Sequence, residues 1–76
     1  MKVLGYYVHK TAKINVHEVM IVIDEQFSPT HDFTCYSPYE QHGGMTRGYF
    51  NECKQIKKEE YLEASKGYYT PKEYLI

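Results

Sequence analysis

The sequence predicts an α+β fold in which a small antiparallel sheet of about four strands carries one helix on one face. Three observations lead to this prediction. Residues 19–23 form the only uninterrupted apolar run in the chain, residues 42–45 contain two adjacent glycines, and residues 57–66 place apolar side chains at helical spacing. A sheet with a helix packed on it buries these apolar surfaces against one another.

The chain has 76 residues and is expected to form a single domain, 1–76. A domain of this size buries only about 60% of the surface that its unfolded chain exposes. Its core is therefore expected to supply no more than about 3–5 kcal/mol of net stability. A second copy of the chain, giving a homodimer, or a permanent partner is a natural way to add to so small a core.

Residues 18–25 are predicted to form the central strand. The apolar side chains at 19–23 are mostly β-branched and too few for a helix of ordinary length, so both faces of this strand are expected to be covered. Residues 2–10 are predicted to form the preceding strand, in which Gly5 indicates a bulge or a close neighbour. The largely polar segment 11–17 then joins the two strands as the loop of an antiparallel hairpin.

A second hairpin is predicted from residues 33–40 and 46–56. Gly43 and Gly44 are expected to close it, because adjacent glycines adopt the positive φ values that tight hairpin turns need. Pro38 has no N–H to donate, so the first of these strands is expected to lie at an edge or to break near that residue.

Two registers are open for this second hairpin. A two-residue loop places Cys35 opposite Glu52, whereas a three-residue loop places Cys35 opposite Cys53. A slip of one residue changes every cross-strand pair, so the choice decides whether the two cysteines are neighbours.

The helix is predicted over residues 57–66, where Tyr61 lies on the apolar face. With Lys57 as the capping residue, Glu60 occupies the third helical position, where its charge suits the helix dipole. Gly67 is the expected end of the helix.

A short C-terminal helical turn is predicted over residues 71–76. Thr70 is expected to cap it, Pro71 fits the first helical position, and Glu73 completes a capping box. The chain is therefore expected to end in ordered structure rather than in a linker.

The composition argues against several classes of protein. The formal charge is −1, and the nine basic and ten acidic residues are mixed along the chain, so neither a phosphate-binding basic face nor a DNA-mimicking acidic one is indicated. Two cysteines are too few for a disulfide-stapled secreted scaffold, so a reducing cytoplasm is expected. The first residues lack a signal-peptide core, and no segment is long enough to cross a bilayer, so no membrane partner is expected.

Four residues have side chains suited to metal binding or nucleophilic catalysis: His31, Cys35, His42 and Cys53. Zinc motifs of high specificity place two cysteines roughly two to four residues apart, and this chain has no such pair. A thiol nucleophile needs a base that a third group orients, which this pattern does not indicate. We therefore expect no metal, no cofactor and no enzymatic activity, with both cysteines acting as small apolar fillers of the sheet.

Tyrosine is the unusual feature of the composition, with nine residues against a single arginine. Tyrosine and arginine are the residue types that most often carry binding energy at protein interfaces, and about half of the tyrosines are expected to be structural. The predicted protein-binding residues lie on the second hairpin: Tyr36, Tyr39, His42, Arg47, Tyr49 and Phe50.

A small, tyrosine-rich chain without enzyme motifs resembles the small proteins that viruses of bacteria and mobile elements use to bind and block one host protein. The resemblance is one of size and composition and covers no specific residues. It implies a non-enzymatic protein-interaction module that inhibits or modulates a host protein. The alternative from another class is a single-stranded nucleic-acid-binding protein, in which tyrosines stack on bases and lysines hold phosphates. Nucleic acid is the less expected partner, because the net charge is slightly negative.

Overall fold

A computed structural model describes all 76 residues, and its five strands form one antiparallel sheet in the order β4-β3-β2-β1-β5. The elements are β1 (Val3–His9), β2 (Met20–Ile23), β3 (Phe33–Ser37), β4 (Gln41–Met45), α1 (Arg47–Asn51), β5 (Cys53–Ile56), α2 (Lys58–Ala64) and a 3₁₀ turn (Lys72–Tyr74). The predicted α+β class is confirmed, and the sheet has one strand more than expected.

The apolar run forms the middle of the sheet, as predicted. β2 is third in the strand order, and every residue in it is buried. Ile21 and Ile23 point to the face on which α2 packs, while Met20 and Val22 point to the opposite face, which α1 covers. These are called the α2 face and the α1 face below. Because side chains alternate along a strand, a continuous apolar run supplies both layers of the core.

Gly5 produces the predicted irregularity in β1. Its φ is 147°, and the pairing of β1 with β2 shifts between Val3 and Gly5. A Cβ at this position would lie 2.7 Å from Nε2 of Gln55 on β5, so the bulge and the close neighbour are both present.

The predicted second hairpin is wrong in its second strand. β3 pairs with β4, so the hairpin closes at residues 38–40, and Cys35 lies opposite Gly43 rather than Glu52 or Cys53. β3 ends at Ser37, which confirms the break expected at Pro38. Gln41, which has a φ of 68°, supplies the positive φ at the end of the loop. A proline followed by residues that tolerate a tight loop therefore closes the hairpin instead of the glycine pair.

Gly43 and Gly44 lie within strand β4 and do not form a turn. Neither has a positive φ. A Cβ at Gly44 would lie 2.6 Å from Cδ2 of Phe27 and 2.7 Å from Cγ of His31. The absence of a side chain at Gly44 thus lets the loop between β2 and β3 pack onto β4.

Residues 46–56, predicted as one strand, divide into α1 and β5. Thr46 caps α1, since its Oγ1 accepts a hydrogen bond from the Tyr49 N–H at 3.1 Å. The chain then crosses to the far edge of the sheet, where β5 pairs with β1 and sets Gln55 opposite Tyr7. The two segments predicted to form one hairpin therefore lie in different parts of the sheet.

Gln41 is the one non-glycine residue with a positive φ, and replacing it tests the observed turn. A left-handed conformation costs a residue with a Cβ about 1–2 kcal/mol, of which the greater unfolded-state freedom of glycine offsets part. We expect Gln41→Gly to raise the free energy of unfolding by about 0.5–1 kcal/mol in urea denaturation. Glu40→Gly is the matched control and is expected to lower it. Equal losses in both variants would contradict a left-handed residue 41.

The predicted helix is confirmed as α2, with ends slightly inside the expected range. The Glu60 carboxylate accepts a hydrogen bond from the Lys57 N–H at 2.8 Å, which satisfies one of the free donors at the helix start. Tyr61 is fully buried on the α2 face, and Gly67, with a φ of 88°, lies just beyond the last turn. No helix in the chain is long and apolar enough to cross a membrane.

The C-terminal turn is present but begins one residue later than predicted. Pro71, rather than Thr70, precedes the 3₁₀ residues. The Thr70 hydroxyl instead shares a hydrogen bond of 2.9 Å with the hydroxyl of Tyr61. Thr70 therefore joins the C-terminal segment to α2 and does not cap the 3₁₀ turn.

Candidate protein-interaction surface

The sheet divides the predicted contact residues between its two faces. Tyr36 and His42 are paired across β3 and β4. Arg47, Tyr49 and Phe50 belong to α1 on the opposite face, and Tyr39 lies at the tip of the β3–β4 hairpin. The six residues therefore form no single surface, because Tyr36 packs on the α2 face whereas α1 packs on the opposite face.

Tyr36 belongs to the core. Only 2% of its surface is exposed, and its hydroxyl donates a hydrogen bond of 2.7 Å to the Tyr69 carbonyl. Its ring lies 5.0 Å from that of His42 and 5.7 Å from that of Tyr74, between centroids. Tyr36 thus holds the C-terminal segment against the sheet and presents no contact surface in this fold.

His42 has a similar structural contact although it is exposed. Its Nε2 lies 2.7 Å from the Tyr74 hydroxyl, within hydrogen-bond distance. The rings of His42 and Tyr74 also meet edge to face, with centroids 5.7 Å apart. His42 therefore joins β4 to the 3₁₀ turn.

The residues of α1 differ in exposure. Phe50 is half-buried between the rings of Tyr7 and Phe33, with centroids 5.1 Å and 4.8 Å away, and it anchors the helix on the α1 face. Arg47 is exposed, and its guanidinium carbon lies 5.0 Å from the Phe33 ring centroid. Tyr49 is 46% exposed. Arg47 and Tyr49 are therefore the two members of the predicted set that face solvent on this side.

Tyr39 is part of an exposed group of three rings that the fold assembles from distant segments. The His17 and Tyr39 ring centroids are 4.4 Å apart, and those of Tyr39 and Tyr68 are 6.3 Å apart. Tyr39 is 53% exposed and Tyr68 is 47% exposed. His17, Tyr39 and Tyr68 are called the aromatic cluster below.

Local hydrogen bonds fix the backbone on which the aromatic cluster stands. The His17 N–H donates to Oδ1 of Asn15 at 2.9 Å, an Asx turn that orders the loop before β2. The Tyr68 N–H donates to the Ser65 carbonyl at 2.9 Å, in the turn that follows α2. Two of the three rings are therefore carried by hydrogen-bonded turns.

The sequence predicted Tyr39 as a contact residue but did not indicate that His17 and Tyr68 are its neighbours. The three residues come from the loop before β2, the hairpin tip and the segment after α2, so no local pattern connects them. The Asn15 turn and Gly67 indicate ordered turns in the sequence, but neither indicates that the turns meet.

The thiols are not activated. Burial raises the pKa of Cys35 above its usual value, and the nearby Glu40 carboxylate adds to the effect. Burial also raises the pKa of Cys53, with smaller contributions from Cys35 and Glu52. Both thiols are thus held protonated at neutral pH, whereas a nucleophilic cysteine requires a lowered pKa. The chain also brings no three His, Cys, Asp or Glu side chains into a group that could hold a metal ion.

Buried tyrosines make the fold sensitive to high pH. Burial raises the pKa of Tyr61 from 10.0 to about 12, and it raises the pKa of Tyr6 and Tyr36 as well. As the pH rises, the unfolded chain loses the hydroxyl protons of these tyrosines before the folded chain does. The contribution of these buried hydroxyl groups to the free energy of unfolding is therefore complete below pH 10 and is lost as the pH rises through their pKa values in the folded state. We expect the free energy of unfolding to fall steadily above pH 10, together with a delayed rise in tyrosinate absorbance. A free energy that stays constant through this range would contradict burial of these hydroxyls.

The fold and its surface define a small α+β domain with an exposed aromatic cluster. No protein-family model, no curated protein and no solved structure was found to match the chain. Functional interpretation therefore depends on the geometry and chemistry of its own residues.

Proposed function

We propose that this protein is a small non-enzymatic interaction module that binds another protein through the aromatic cluster. The observation that carries the proposal is that the Tyr39 ring contacts those of His17 and Tyr68, with both tyrosines about half exposed. Tyrosine is enriched among the residues that dominate binding energy, since its ring offers a large contact area and its hydroxyl a hydrogen bond. Rings already ordered before binding lose little conformational entropy in the complex.

An open groove beside Tyr68 extends the available apolar surface. It has a volume of about 460 Å³, and its lining includes Leu62, Tyr69 and Leu75 together with Lys66 and Lys72. Leu62 and Tyr69 are 42% and 73% exposed. Lys72 belongs to neither ion pair of the chain, so this surface suits a partner with apolar side chains and an acidic group that Lys72 can contact.

We propose that this binding inhibits or modulates a host protein, as small proteins of bacterial viruses and mobile elements do. Such a role needs only a contact surface on a folded scaffold, and the exposed rings of the aromatic cluster can supply one. Both cysteines are free, which is compatible with action in a reducing cytoplasm.

Single-stranded nucleic acid is the less favoured partner. Lys10 lies 2.6 Å from Glu52 in an ion pair, and Lys66 lies 3.9 Å from Glu63. Lysines beside carboxylates contribute little to the net positive surface on which nucleic-acid affinity depends.

Affinity capture with paired variants tests the proposal. The immobilised wild type, the double variant Tyr39→Ala/Tyr68→Ala and the control Tyr49→Ala are exposed to lysate of the source organism, and captured proteins are quantified by mass spectrometry. Tyr49 is a matched control because it is 46% exposed but lies on α1. We expect the double variant to lose a protein that the wild type and Tyr49→Ala both retain, with or without nuclease treatment.

Two results would count against the aromatic cluster. Retention of every captured protein by the double variant would show that its rings carry no binding energy. Loss of capture after nuclease treatment, with affinity for single-stranded DNA that falls steeply as salt is added, would favour nucleic acid instead. Circular dichroism of each variant checks that the fold is intact.

A further inference from the structure

The two edges of the sheet differ in their protection against pairing. At one edge, β5 carries Lys54 and is followed by Lys57. At the other edge, β4 consists of Gln41, His42, Gly43, Gly44 and Met45, with neither a formally charged residue nor a proline. Lysine and proline are common devices that prevent edge strands from pairing with other chains. β5 therefore has such a device and β4 does not.

The outer side of β4 has free backbone groups. The strand pairs with β3 on its inner side, and no backbone hydrogen bond outside the sheet reaches residues 41–45. The contact between His42 and Tyr74 involves only their side chains, so it does not occupy the outward backbone groups of β4. Each outward N–H and C=O therefore has no hydrogen-bond partner within the chain, and an added strand can pair with it.

Opposite charges stand at the two ends of β4. Glu40 precedes the strand, and Arg47, the only arginine in the chain, lies shortly after it. Neither belongs to an intramolecular ion pair, because the two ion pairs of the chain join Lys10 to Glu52 and Lys66 to Glu63. An antiparallel copy of the same strand brings the acidic end of each beside the basic end of the other, whereas a parallel copy brings like charges together.

From these observations we infer that β4 pairs antiparallel with β4 of a second copy of this chain, across a two-fold axis through Gly43. Directly opposite residues of antiparallel strands share a face, so the axis must pass through a residue paired with itself. Gly43 is the middle residue of β4, and this choice gives every residue of the strand a partner. Gln41 then faces Met45 of the second copy, His42 faces Gly44, and the two Gly43 residues meet without side chains.

The inference concerns the β4 edge and does not rest on the proposed role of the aromatic cluster. Pairing along one short strand buries less surface than the roughly 1,200–2,000 Å² of a typical stable interface. The dimer is therefore weak and forms as the protein concentration rises. It joins the two five-stranded sheets into one continuous sheet.

Sedimentation velocity over about a hundredfold range of protein concentration tests the dimer. We expect the wild type to shift from monomer to dimer, Gly43→Lys to remain monomeric, and the control Lys54→Glu on β5 to behave as the wild type. Gly43→Lys opposes two like charges at the axis. The monomer has room for it, because a Cβ at Gly43 has only Cys35 Sγ nearby, at 3.9 Å. The charge exchange Glu40→Lys/Arg47→Glu should dimerise better than either single change.

Amide hydrogen exchange of the wild type gives a measurement that needs no variant. Outward N–H groups of β4 should become more protected at high concentration, while those of β5 should not change. A wild type that stays monomeric across the range would overturn the inference. So would a dimer that Gly43→Lys leaves intact, or protection that rises equally at both edges.

Discussion

Tyr61→Ala is expected to leave most of the protein unfolded at room temperature. Tyr61 is fully buried at the junction of α2 with the sheet, and its ring centroid lies 5.1 Å from that of Tyr6. Truncating a large buried aromatic residue to alanine costs about 3–5 kcal/mol through lost apolar burial and the cavity that remains. That loss is comparable with the whole net stability of a domain of this size, roughly 3–5 kcal/mol. Urea denaturation followed by far-ultraviolet circular dichroism measures it.

Two further variants separate the ring of Tyr61 from its hydroxyl. Tyr61→Phe keeps the ring and removes only the hydrogen bond to Thr70, so we expect a loss of about 1 kcal/mol. Tyr69→Ala removes a ring that is 73% exposed and should change stability by less than about 0.5 kcal/mol. If Tyr61→Ala were no more damaging than Tyr69→Ala, α2 would not be anchored by this residue.

Gly44→Ala is expected to destabilise the protein by about 1–3 kcal/mol, while Gly43→Ala is expected to be neutral or slightly stabilising. The added Cβ at Gly44 would lie 2.9 Å from Cβ and 2.7 Å from Cγ of His31. His31 cannot move away freely, because its Nδ1 lies 2.8 Å from the Ser28 hydroxyl in a hydrogen bond. At Gly43 the added Cβ makes an ordinary contact of 3.9 Å with the Cys35 sulfur.

The asymmetry between the two glycines distinguishes a strand from a turn. If the pair closed a hairpin with positive φ at both residues, both substitutions would be costly. Thermal denaturation of the two variants beside the wild type is sufficient. Equal losses at Gly43 and Gly44 would contradict their placement in β4.

Features that depend on a few neighbouring residues were predictable from the sequence. The run at 19–23 required a strand covered on both faces, whatever lay beside it in the sheet. The helical spacing with Glu60 near its start specified α2, and Gly5 indicated the bulge in β1. In each case the local chemistry permits essentially one structure.

The partner of β5 was not predictable, because strand pairing depends on contacts between segments that are far apart in the chain. The glycine pair was equally ambiguous in isolation, since glycine serves both for positive φ and for close approach. Only the position of the β2–β3 loop over Gly44 decides between these uses. Pro38 did indicate the position of the turn, because the break predicted near this residue was confirmed.

The candidate surface was the least predictable part for the same reason. Tyrosine content predicted a protein-contact surface, but the burial of Tyr36 depends on the C-terminal segment that folds over it. The contact of Tyr39 with His17 and Tyr68 joins three segments that share no local pattern. Composition therefore indicated a kind of surface, and the topology determined its members.

Both proposals depend on the β3–β4 hairpin, which places Tyr39 at its tip and leaves β4 at an edge. A nuclear Overhauser spectrum of the isolated protein tests this hairpin most directly, because Hα and amide protons of opposite residues in antiparallel strands lie close together. We predict cross-strand contacts of Cys35 with Gly43 and of Thr34 with Gly44, and contacts of Cys53 with His9. Cross-strand contacts of Cys35 with Glu52 or Cys53 in their place would contradict the topology and remove the basis of both proposals.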